Sequence, residues 1–81
     1  MDSLSDIQTM SDYSIVPRTV NSFLIIENKS GCTKSVMHTD GDIINTNVSG
    51  DVGTVLVKKG NHRKQYVYNL RQGKCTTIFS I

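Results

Sequence analysis

From Thr19 onward, turn-forming residues interrupt this chain at short, regular intervals. Asn28-Lys29-Ser30-Gly31, Asp40-Gly41, Ser49-Gly50-Asp51, Gly60-Asn61 and Arg71-Gln72-Gly73-Lys74 punctuate it. The segments between them hold at most nine residues, too few for an ordinary helix of about 11–12. Such spacing is the rhythm of a small β domain. Composition agrees where it bears on the point. There is no alanine in the chain, so the best helix former is missing. Valine, isoleucine and threonine take its place, and their stiff branched side chains suit a pleated sheet.

The punctuation predicts strands over about Thr19–Glu27, Cys32–Thr39, Asp42–Val48, Gly53–Lys59, 64–70 and Cys75–Ile81. Phe23-Leu24-Ile25-Ile26 is apolar at every position, the mark of a central strand. Pro17 cannot donate to a ladder, so it opens the folded part rather than sitting inside a central strand. Asp40-Gly41 reads as the strongest hairpin turn. Eighty-one residues make one domain. The expected architecture is all-β: residues 1–16 as a flexible acidic N-terminal tail, then residues 17–81 as a meander of about six antiparallel strands. Such a meander hides its edges by closing into a small SH3-like or OB-like barrel. Gly50–Val57, a glycine-flanked turn before a V-G-x-V strand, resembles a segment of SH3-like barrels. The resemblance covers eight residues and implies no function.

The stretch Val55–Leu70 carries the densest charge. It reads as a hairpin with Lys58, Lys59, His62, Arg63 and Lys64 at its turn. A two-residue turn at Gly60-Asn61 sets Lys58 opposite Arg63 and Val57 opposite Lys64. Like charges across a ladder destabilise it. A four-residue loop over Gly60–Arg63 instead pairs Val57 with Tyr66, Leu56 with Val67 and Val55 with Tyr68. Aromatic–branched pairs of this kind favour the longer loop. It places His62 and Arg63 at the tip and Lys59 and Lys64 at its base.

Charge is divided along the chain. Residues 1–51 hold seven acids and three bases, a net −4, whereas residues 52–81 hold six bases and no acid, a net +6. This asymmetry points to an acidic partner. Phosphate neutralisation needs several cations on one surface. Lys58, Lys59, His62, Arg63, Lys64, Arg71 and Lys74 are the candidates to supply it. Tyr66 and Tyr68 lie two apart, share a strand face, and would stack bases if that face is open. The expected function is a non-catalytic binding protein whose basic hairpin engages nucleic acid. The alternative is a protein–protein interaction module, such as a phage-type inhibitor, adaptor or assembly component. Plentiful Ile, Asn and Lys without Ala fit an AT-rich coding sequence, as in many phages. Exposed edge strands would also permit homo-oligomers.

Other chemistry finds little footing. Cys32, His38, His62 and Cys75 are all the Cys and His residues, with gaps of five, twenty-three and twelve residues. Structural zinc sites bring ligands in close pairs, so no metal and no cofactor are expected. Cys32 and His38, the only nucleophile–base arrangement in view, stand six apart on one strand, roughly 20 Å when extended. Nucleotide-binding glycine motifs are missing, and no enzyme is expected. The N-terminal MDSLSDIQTM lacks a basic region and an apolar core. No apolar run approaches the roughly 20 residues of a membrane span. A cytoplasmic protein is therefore expected.

Overall fold

Alternation along each strand sends every second side chain to one face, and in this protein those faces meet in a single core. The computed structural model describes residues 11–81, so the first ten residues of the expected tail lie outside it. Seven strands follow: β1 (Tyr13–Thr19), β2 (Ser22–Glu27), β3 (Cys32–His38), β4 (Asp42–Ser49), β5 (Val52–Lys59), β6 (His62–Asn69) and β7 (Lys74–Ser80). No helix occurs among the described residues. All pairings are antiparallel. The all-β reading holds, with one strand more than expected. The strands fall into two sheets, β1-β2-β3 and β4-β5-β6-β7, and neither closes into a barrel.

The extra strand is β1, whose Tyr13–Val16 lie in the stretch expected as a tail. It is tied down at its N-terminal end. Tyr13 is buried, the Asn28 N–H donates to the Asp12 carbonyl at 2.9 Å, and the Ser11 hydroxyl donates to the Gly50 carbonyl at 3.1 Å. Pro17 is accommodated because β1 is an edge strand, and the register shifts between Pro17 and Thr19. The apolar run of β2 takes the central place in its sheet, as its pattern implies.

Asp40-Gly41 does not close a hairpin. It carries the chain from one sheet to the other, since β3 and β4 are not paired. Thr39 anchors this crossover on the β1–β2 turn: its N–H donates to the Asn21 carbonyl at 2.8 Å, and its hydroxyl lies 2.8 Å from the Gly41 carbonyl. Gly41 has φ 147°, and a Cβ there would stand 2.8 Å from the Lys58 carbonyl oxygen and 2.8 Å from Val57 Cγ1. The dipeptide has turn chemistry, but the close passage over β5 explains the glycine.

The core joins Tyr13, Phe23 and Ile25 of the first sheet to Val55, Val57, Tyr68 and Leu70 from the second. The Phe23 and Tyr68 rings meet edge to face, with centroids 5.2 Å apart. Seven buried apolar side chains make a thin core, as expected of a domain this small.

Two substitutions check this account by denaturant unfolding. Phe23→Ala is expected to cost about 3–5 kcal/mol, while Phe79→Ala, at an exposed site, should stay near 0.5 kcal/mol. Gly41→Ala adds a strained φ and a backbone clash together, and should cost about 2–3 kcal/mol.

Candidate functional site

The β5–β6 hairpin takes the two-residue turn. Lys59 pairs with His62, Lys58 with Arg63, Val57 with Lys64 and Val55 with Tyr66. The expected four-residue loop is therefore corrected: Gly60-Asn61 is the tip, and His62 and Arg63 belong to β6. The reason lies in parity. The two registers differ by an even shift, so Val55, Val57, Tyr66 and Tyr68 face the core in either. Burial of apolar area cannot separate them, and the turn decides. Gly60 has φ 60° and Asn61 no positive φ, the pattern of a type II′ turn with glycine first.

This register sorts the cations by face. Lys58 and Arg63 stand opposite each other on the outward face, with Asp42 in register on the far side of Lys58. Lys59, His62 and Lys64 fall on the other face. They line a pocket of about 210 Å³ together with Asp40 and Val57, and all of these except Val57 are exposed. Lys59 is engaged there: its ammonium donates to both Asp40 carboxylate oxygens, at 3.0 and 3.1 Å. That hydrogen bond, then the Lys59 charge and the more distant Lys64, hold the Asp40 carboxyl below its ordinary value of 3.8. Both partners are well exposed, so the pair contributes little to stability. Its effect is positional, mooring the hairpin to the crossover between the sheets.

Arg71 and Lys74 do not join this group. They lie beyond the far end of β6, whose eight residues separate the two sites by roughly 23 Å. Arg71 faces Asp51 there at 3.4 Å. The seven candidate residues thus divide between opposite ends of one hairpin. Lys58 and Arg63 on one face, and His62 and Lys64 on the other, share the turn end of the hairpin, and none of them forms an ion pair with another described residue.

The expected stacking platform loses Tyr68 to the core. Tyr66 and Tyr68 do share a face, stacked with centroids 6.2 Å apart, but it is the face turned toward the core. Tyr68 is 2% exposed, and Tyr66 packs half-buried against the core. The Tyr68 ring is therefore closed to a base, whereas Tyr66 keeps part of its surface exposed.

Cys32 and His38 stand at the two ends of β3. Cys32 and Cys75 are free and exposed. Among the described residues no three His, Cys, Asp or Glu side chains come together, and no helix is long and apolar enough to cross a membrane. Sequence reasoning missed Asp40 as part of the site. It lies nineteen residues from Lys59, and no local pattern joins them. Comparison of the chain with known protein families, curated proteins and solved structures yields no match.

Burial pushes the Tyr68 hydroxyl up to about 12, with smaller contributions from Cys75 and Tyr66. Its ordinary value is 10.0, so the unfolded chain ionises first. The stability this contributes is complete below pH 10 and is lost as pH rises toward about 12. Absorbance titration should show a tyrosine ionising near pH 12 that disappears in Tyr68→Phe.

Proposed function

We propose that this protein is a non-catalytic binding module that engages an acidic partner, nucleic acid first, through the cations at the turn end of the β5–β6 hairpin. One observation carries the reading. Lys58 and Arg63 are held directly opposite each other, exposed, without an ion pair to another described residue. Like charges so placed destabilise the ladder, and an anion between them removes the repulsion. Lys64 follows on the same strand with its side chain on the opposite face and adds to the field only at longer range.

The partner's phosphates would supply the attraction. The bases contribute little, since Tyr68 is spent on the core and Tyr66 is half-buried against it. Binding of this kind is sequence-independent, of modest strength and steeply sensitive to salt. Arg71 and Lys74 stand apart from it, and Lys59 serves mainly through Asp40. The action is cytoplasmic. The second reading, a phage-type inhibitor, adaptor or assembly component, draws on a different feature, the unpaired edge of β7.

Fluorescence anisotropy with a labelled single-stranded oligonucleotide tests the first reading. Two or three phosphate contacts predict a log–log salt slope of about −1.5 to −2. Reversing Lys58 and Arg63 together to Glu should weaken binding about tenfold or more. Reversing Arg71 and Lys74 instead should leave most of it. Equal losses from the two pairs, or no binding by the unaltered protein, would sink the proposal.

A further inference from the structure

The two sheets have four edge strands, and three of them are obstructed. β1 carries Pro17 and a register break. β4 lies beside β1, and the Ile43 N–H at its start donates to the Val20 carbonyl at 2.7 Å. β3 carries Lys34, and the turn before β7 stands over it, so close that a Cβ at Gly73 would meet Ser35 Oγ at 2.8 Å. Proline, charge and cover are the usual means of keeping an edge from pairing.

β7 has such protection only at its start, where Lys74 and a register break opposite Val67 and Tyr68 fall; from Thr77 to Ser80 no proline, charge or cover occurs among the described residues. All seven of its residues are exposed. Past Lys74 it reads Cys75-Thr76-Thr77-Ile78-Phe79-Ser80, without charge, proline or glycine. Ile78 and Phe79 point to opposite faces and are each 54% exposed. The backbone is also available. The Ile81 N–H donates to the Arg63 carbonyl at 2.9 Å. By the antiparallel alternation, Thr77 and Phe79 likewise turn their backbone groups toward β6. The N–H and C=O of Ile78 and Ser80 therefore face the open side.

Charge selects the occupant. No acid occurs anywhere in residues 52–81. A strand laid along β7 meets Lys74 at one end, Arg71 before it being already opposite Asp51 at 3.4 Å. At the other end it meets Lys64 and Arg63 one strand away, in register with Ser80 and Ile81. A second copy of β7 pairing antiparallel would bring its own Lys74 to that second basic end. From this we infer that β7 is a docking edge for an extended acidic peptide from another protein, apolar at its centre and acidic at its ends. Main-chain bonds to Ile78 and Ser80 give affinity, and the flanking cations give selectivity. This surface shares Arg63 and Lys64 with the one assigned to nucleic acid and adds the β7 backbone and Lys74.

The test uses two blocked, fluorescent nine-residue peptides with the same Val/Ile/Thr centre, one with two glutamates at each end and one with two lysines. The acidic peptide should bind at least tenfold more tightly. Ile78→Pro removes an outward N–H without removing a bond to β6. It should reduce binding at least tenfold while leaving the melting temperature and the oligonucleotide affinity close to those of the unaltered protein. A readout without substitution keeps the test independent of that variant's folding. On adding the acidic peptide, amide exchange at Ile78 and Ser80 should slow at least tenfold, with Thr77 and Phe79 protected throughout. Equal affinity for the two peptides, or no added protection at Ile78 and Ser80, overturns the inference. So does sedimentation showing a dimer of the protein alone that Ile78→Pro dissociates, since the occupant is then a second copy.

Discussion

The contact between Phe23 and Tyr68 is the constraint on which the rest depends. Phe23 sits in the central strand of one sheet and Tyr68 in an interior strand of the other, and their edge-to-face packing joins the two layers at the middle of a core completed by Tyr13, Ile25, Val55, Val57 and Leu70. A core this small has no aromatic area to spare. That single demand draws Tyr68 into the core and packs Tyr66 half-buried against it.

Once the sheets are joined, the crossover at Asp40-Gly41 takes on its importance. The backbone passes over β5 so closely that only glycine fits at position 41. The neighbouring Asp40 is thereby brought to Lys59. This exposed pair is energetically minor, yet it removes one cation from the basic cluster and sets the stance of the others. Lys58 and Arg63, on the outward face, are left unneutralised by any described neighbour except through the register proximity of Asp42.

The hairpin shows where pattern reading reaches its limit. Periodicity assigns Val55, Val57, Tyr66 and Tyr68 to one face, and that assignment holds. It cannot distinguish registers two residues apart, because both bury the same atoms. Pair preferences worth roughly 0.2–1 kcal/mol pointed to the longer loop. Backbone geometry at Gly60 outweighed them, and Asp42 in register with Lys58 offsets part of the like-charge repulsion that had argued the other way. Asp40-Gly41 is the complementary lesson: turn chemistry was read correctly, but whether a turn joins paired strands or separate sheets depends on contacts far away in sequence.

By itself the sequence determined the strand class, the short turns, the central place of Phe23–Ile26 and the polarity of charge between the two halves. These follow from local chemistry: branched side chains, glycine and asparagine at turns, and alternation. Tertiary structure alone decided that the strands divide into two sheets rather than closing a barrel, and that Tyr13–Thr19 folds as a strand. It also decided that Arg71 and Lys74 stand a strand's length from Lys58 and Arg63, that Asp40 holds Lys59, and that β7 lies at the edge of its sheet. Each of these depends on which faces find one another when a thin core is buried, and no window of neighbouring residues contains that information.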